Sequence, residues 1–275
     1  MIIPKALLVT ATLLLLGQVV HGIVGGTDVD SAPEWFVMDL NQLCAGSLVS
    51  ANTVVSAGHC YNDCSNTCED PDCNEPCPTQ VRIGSTSLSG GGIVRDVVPN
   101  SCTVHPNFET DPNRYDVATY KLTEPVILSQ YAQIQANLAF PGIEQAGEND
   151  VVDAFTVFGH GRTSNDASDG SDKLQQLSLT YWHNCEQYVG GEDYDATHHI
   201  CAYSSSDAGV CFGDSGAPLV YEDFLVGIVS FLGRDEEPFC AQNNVDTFSR
   251  ISTYWEWILV SKFTLLNLAL TRFSI

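Results

Sequence analysis

Residues 213–218 read Gly213-Asp214-Ser215-Gly216-Ala217-Pro218, GDSGAP, and the fold follows from what this stretch requires of the rest of the chain. A glycine stands on each side of Asp214-Ser215. A nucleophilic serine needs that setting: a tight turn, room for a substrate carbonyl, and backbone N–H groups aimed at the oxyanion that forms. The same composition also describes an ordinary Gly/Asp/Ser turn. The motif therefore points to a serine hydrolase only if a base and an orienting acid are found elsewhere.

Working outward, VVSAGHC (Val54–Cys60) ends an apolar run with His59 beside a cysteine. DVATYKL (Asp116–Leu122) puts a carboxylate at the start of a second apolar run, where burial would hold it against an imidazole. A lone histidine is ordinarily structural or surface-exposed, and a lone aspartate is ordinarily solvated. Here His, Asp and Ser occur in that chain order, each at the edge of an apolar run, with glycines around the serine.

Short runs rich in Val, Ile, Leu, Thr and Phe recur along the chain, punctuated by Gly, Pro, Asn and Asp. Ser47–Ser56, Gln80–Ile83, Asp116–Leu122, Asp153–Phe158 and Phe224–Phe231 are examples, and their spacing predicts an all-β barrel or sandwich. Residues 124–147 lack periodicity and read as a crossover between two halves. Only the stretch from Thr253 to about Leu270 has a helical pattern. The polar loop Asp166–Asp172 is the one stretch of low complexity.

The first 22 residues stand apart: Lys5 is their only charge and an apolar run spans Ala6–Leu16. This is the pattern of a secretory signal, too short for a membrane anchor, with Val20 and Gly22 placed for a cut before Ile23. The expectation is a secreted, extracellular protein. Removing the leader takes the net charge from −23 to −24, since one lysine is lost and no acid. Such a surface repels phosphate backbones and argues against nucleic-acid partners. Eleven cysteines in an exported chain imply disulfides, with an odd one left over.

With these motifs in hand the chain resembles the chymotrypsin/trypsin family of serine endopeptidases. IVGG (Ile23–Gly26), SAGHC, HPNF (His105–Phe108), DVATYKL, GDSGAP and VSF (Val229–Phe231) appear in family order from Ile23 to about residue 262. The resemblance implies two six-stranded antiparallel β-barrels with a C-terminal α-helix and the active site between the barrels. It places the N-terminal barrel at about 23–130 and the C-terminal barrel at about 131–252, with the terminal helix from about 253. Residues 263–275 remain as an apolar extension that either lengthens the helix or docks on a partner.

The resemblance makes Ser215 the nucleophile, His59 the base and Asp116 its orienting acid. Gly213 and Ser215 supply the oxyanion hole, and Ser230, Phe231 and Leu232 pair with the substrate backbone. Asp214 forms an ion pair with a freed Ile23 amine. Relatives carry Lys or Arg before that Ile, whereas this chain has Gly22. Two processing routes are open: direct exposure of Ile23 by signal peptidase, or a cut after Gly17 that leaves the pro-peptide QVVHG.

Three disulfides follow by resemblance: Cys44–Cys60, Cys185–Cys201 and Cys211–Cys240. Cys64, Cys68, Cys73, Cys77 and Cys102 remain, the first four in an acidic insertion after His59 that reads either as a stapled knob on the cleft rim that meets substrates or as a rigid surface loop that does not. Gly209 falls at the floor of the specificity pocket, where trypsins carry aspartate, and Asp246 falls on its wall, as in the brachyurins. Leu232 narrows the mouth, as in elastases. Broad or chymotrypsin/elastase-like specificity is expected, with no cofactor and no metal, since Gly84–Arg95 lacks the paired acids of a calcium loop. The expected protein is a digestive monomer acting on protein or peptide substrates and open to protein inhibitors, with no membrane span. The alternative is a catalytically silent homologue that binds without cleaving.

Overall fold

The computed structural model describes residues 23–41, 44–61, 77–108, 114–133, 153–182, 185–189, 194–204, 206–232, 240–241 and 245–270. The expected leader, the knob before Cys77, most of the crossover and the last five residues lie outside these. No helix of the described residues is long and apolar enough to cross a membrane.

The first half folds into β2 (Phe36–Asp39), β3 (Ala45–Ser50), β4 (Thr53–Ser56), β5 (Gln80–Ile83), β6 (Ile93–Asp96), β7 (Thr103–Val104) and β8 (Ala118–Lys121). Short β-branched runs broken by turns favour antiparallel strands of this kind. The run Ser47–Ser56 is two strands, because Ala51 and Asn52 make the turn of a β3–β4 hairpin. The sheet order is β6-β5-β2-β3-β4-β8-β7. A bridge between Val97 and Leu122 joins the ends of β6 and β8, so the sheet curls back on itself. Val37, Leu48, Val54, Val81, Ile83 and Tyr120 fill its interior and are almost fully buried.

The second half contributes β9 (Asp153–Gly159), β10 (Gln175–Tyr181), β11 (His199–Tyr203), β12 (Pro218–Tyr221), β13 (Phe224–Leu232) and β14 (Val245–Arg250), with a single helical turn α1 (Glu186–Val189). These strands run β10-β11-β14-β13-β12-β9, and β9 pairs again with β10, which closes a six-stranded barrel. Each of the six strands is thereby paired on both sides along at least part of its length. Strand β1 (Thr27–Asp28) is a seventh member, paired with β10. This corrects the expected half boundary: residues 23–28 precede the first barrel in sequence but belong to the second. The reason is burial, since Ile23 is fully enclosed in the second core and Val24 exchanges two hydrogen bonds of 3.0 Å with Gly209.

Helix α2 (Ile251–Leu270) begins directly after β14 and runs past the expected domain end at 262. Ile251, Tyr254 and Ile258 recur at helical spacing and are buried. They pack on Val49 and Val55 of the first barrel and on Leu225 and Ile228 of the second. Each such side chain contributes about 1.5–3 kcal/mol of apolar burial, so the helix clamps the two barrels together.

Candidate active site

His59 opens a short 3-10 turn, His59–Tyr61, immediately beyond β4. The Cys44–Cys60 disulfide ties that turn to the start of β3. The backbone N–H of His59 donates to Asp116 Oδ1 at 2.7 Å, and its Nδ1 meets Asp116 Oδ2 at 2.9 Å. The carboxylate therefore fixes both the backbone and the ring. Asp116 is completely buried, whereas the His59 side chain is 29% exposed and reachable.

Two neighbours hold Asp116. Tyr115, in the left-handed region at φ +57°, turns the chain; its ring stacks on His105 at 4.8 Å and lies 4.4 Å from His198. Ser230 Oγ donates to the same Oδ2 that faces His59. Burial alone would push the Asp116 carboxyl up, but the His59 charge and the hydrogen bonds from His59 and Ser230 outweigh it and hold it below the usual carboxylate value. An ionised carboxylate against Nδ1 requires a proton there, which makes Nε2 the unprotonated, basic nitrogen of the neutral ring.

Ser215 is half-buried and belongs to the second barrel, yet its loop rests on the first. Its carbonyl accepts from Ala45 N at 2.8 Å. A Cβ at Gly216 would overlap Ala45 O and Ser56 Oγ, so only glycine lets the loop lie this close. Ala45 adjoins Cys44, and Ser56 ends the strand that leads into His59. The hydrogen bond to Ala45 thus brings the Ser215 loop to the same cleft as His59. Gly213 adopts φ +96°, a conformation that L side chains avoid. Among the described residues no acceptor takes the N–H of Gly213 or of Ser215.

Asp214 is enclosed in the second barrel. Its Oδ1 accepts from Gly161 N at 2.8 Å and its Oδ2 from Cys211 N at 2.9 Å. Burial outweighs these two donors and pushes its carboxyl up to about 7. In the uncut chain no hydrogen bond joins Ile23 to Asp214 among the described residues. Ile23 is nevertheless fully buried in the same core, at φ +51°. A β-branched residue is strained in that conformation. His160, beside Gly161, is buried with Nδ1 3.0 Å from Ser171 O. Burial pushes its imidazole down to about 4, so it stays neutral.

The expected pocket residues also converge. Asp246 is 1% exposed, its Oδ2 accepts from Val210 N at 3.0 Å, and its Oδ1 has no hydrogen-bond partner. A Cβ at Gly209 would lie 3.1 and 3.3 Å from the two carboxylate oxygens, so the glycine leaves them uncovered. Burial, with the Asp214 charge nearby, pushes Asp246 up to about 8 despite the Val210 donor. The Cys211–Cys240 bridge braces this region, and Leu232 pairs with Asp246 across β13–β14. Cys185–Cys201 staples α1 to β11.

Strand β12 covers β13 only as far as Ile228, and a bulge between Val229 and Phe231 frees Ser230 from the β14 ladder. Bulges of this kind re-aim a side chain next to a site. Beyond Val229, no strand pairs with the β13 edge opposite β14 among the described residues. The Phe231 ring turns onto His199 at 5.4 Å, so its side chain is engaged within the second half. Three contributors escaped the sequence reading: Gly161 N–H, Ala45 N–H and the Ser230 hydroxyl. The glycine-flanked run Gly159-His160-Gly161 was the only local signal for the first of them.

The Trypsin family model matches residues 23–258. Trypsin iota of Drosophila melanogaster is 31% identical over 260 residues, covering 90% of this chain and 93% of that protein. Brachyurin of Leptuca pugilator is 30% identical over 250 residues, covering 86% of this chain and 96% of that protein. The solved structure of neuropsin, a serine protease expressed in the limbic system of mouse brain, superposes with a TM-score of 0.69 at 21% identity. That match covers 87% of this chain and all of neuropsin, and it confirms the fold.

Proposed function

Because the chain belongs to the trypsin family of serine endopeptidases, we propose that Ser215, His59 and Asp116 are its catalytic triad and that it cleaves peptide bonds through an acyl-enzyme. Ser215 Oγ attacks the scissile carbonyl while His59 Nε2 takes its proton. His59 then returns that proton to the leaving amine, which departs and leaves an ester on Ser215. A water molecule, deprotonated by His59, hydrolyses the ester and regenerates the serine. Asp116 holds the Nδ1–H tautomer and balances the imidazolium charge. The N–H groups of Gly213 and Ser215 bind the oxyanion, each worth about 3–4 kcal/mol in the transition state.

The observation that carries this reading is the double contact of Asp116 with His59, 2.7 Å to its backbone and 2.9 Å to its ring, made by a fully buried carboxylate. A buried carboxylate paired to a partly exposed imidazole in this way is the arrangement expected where that imidazole does acid–base work. The open β13 edge from Ser230 to Leu232 suits a substrate lying as an added antiparallel strand. Gly209, Leu232 and the nearly neutral Asp246 support broad or chymotrypsin/elastase-like specificity. Secretion, a free amine at Ile23 that pairs with Asp214, a digestive role, a monomeric state and control by protein inhibitors complete the reading. Peptide-library profiling tests it: wild-type protein should cleave after apolar and small side chains, and Ser215→Ala should cleave nothing. Equal cleavage by both would remove Ser215 from the mechanism.

A further inference from the structure

Four large apolar side chains are exposed among the described residues: Val94, Ile127, Phe212 and Val260. Phe212 is the one aromatic among them, 47% exposed, and it immediately precedes Gly213. Its backbone is held on both flanks. Cys211 is bonded to Cys240, and the Phe212 carbonyl accepts from Arg162 N at 2.8 Å. A half-exposed ring three residues before the nucleophile presents apolar area to whatever approaches Ser215.

The Arg162 guanidinium lies 5.2 Å from the centre of that ring, a cation–π contact. It makes no ion pair and no side-chain hydrogen bond among the described residues. Of the acids of its own loop, Asp169 accepts from Ser168 and Asp172 from Ser87 and Ser89, and none of them, Asp166 included, forms an ion pair with Arg162 among the described residues. In a chain with 34 acids against 11 basic residues, a cation without an ion-pair partner is a local attraction for an anionic side chain.

We propose that Arg162 and Phe212 form a subsite for a glutamate side chain on the leaving-group side of the scissile bond. This rests on the reading of Ser215 as nucleophile. The carboxylate meets the guanidinium, and the two methylenes of glutamate lie on the phenyl ring. The acyl side of the substrate already has its partners, the Ser230–Leu232 edge and the region of Gly209 and Asp246. Residues after the scissile bond are what remain to meet a shelf built on Gly161 and Gly213, which lie against each other.

The test uses fluorescence-quenched peptides of one sequence carrying Glu, Ala or Lys at the first or second position after the cleaved bond. Wild-type protein should prefer Glu over Lys by about fivefold in kcat/KM, a preference that shrinks in high salt. Arg162→Gln should abolish the preference and Arg162→Glu should invert it. Phe212→Ser should weaken the preference for Glu over Asp. Because each readout is a ratio within one protein, partial misfolding does not imitate it. Cleavage without discrimination, or discrimination that survives Arg162→Glu, overturns the subsite while leaving the protease reading intact. Failure to cleave any peptide, with no labelling of Ser215 by a fluorophosphonate, overturns both.

Discussion

Ser230 and His59 share one oxygen of Asp116: Ser230 Oγ donates to Oδ2, and His59 Nδ1 lies 2.9 Å from the same atom. The two residues come from different barrels and are joined through a carboxylate that is completely buried. Orientation of the imidazole is therefore a property of the barrel interface.

Removing the Ser230 hydroxyl should loosen that carboxylate. A hydrogen bond to a charged group contributes about 1.5–3 kcal/mol, so Ser230→Ala should lower kcat/KM by about tenfold or more while the fold persists. Ser230→Thr, which keeps the donor, should recover most of the activity. Steady-state kinetics on one peptide substrate check both.

Asp246 should make the specificity depend on pH. Its carboxyl is pushed up to about 8 by burial, so it is neutral below that pH and anionic above it. The ratio of kcat/KM for Lys-containing over Phe-containing substrates should rise between pH 6 and pH 9, by up to about tenfold. Asp246→Ser should flatten the ratio. A flat profile in wild-type protein would show that the carboxylate does not meet the substrate.

Asp214 should make stability depend on how the N-terminus is processed. In the uncut chain its folded value, about 7, lies above the usual 3.8. Between those values the folded state holds a proton that the unfolded state releases, so stability falls as pH rises through the window. A free ammonium at Ile23 would neutralise the carboxylate and remove that loss. Protein beginning at Ile23 should therefore melt at similar temperatures at pH 5 and pH 8, while protein beginning at Gln18 should melt lower at pH 8. N-terminal sequencing of secreted material establishes which form export produces; a start at Gln18 would rule out direct activation.

The strands and the order His59, Asp116, Ser215 were legible because each rests on a local pattern: an apolar run, a glycine-flanked serine, a histidine beside a bridged cysteine. The helix from about Thr253 was legible for the same reason and begins at Ile251. What escaped was long-range. The Ser230–Asp116 bond spans 114 positions and the Gly161–Asp214 bond spans 53, and no run of neighbouring residues encodes either. The membership of β1 in the second barrel was hidden likewise, because it depends on Val24 meeting Gly209. Asp246 was named as a wall residue from resemblance alone; its orphaned oxygen and proximity to Gly209 emerge only from packing.

The most direct test of the triad is covalent. Folded protein with Ile23 as its first residue is treated with a fluorophosphonate, and the adduct is mapped by mass spectrometry. A single adduct on Ser215 is predicted, forming about 10⁴ times more slowly in Asp116→Asn, where the imidazole loses its tautomer. Absence of any adduct in wild-type protein, or an equal rate in Asp116→Asn, would contradict the account.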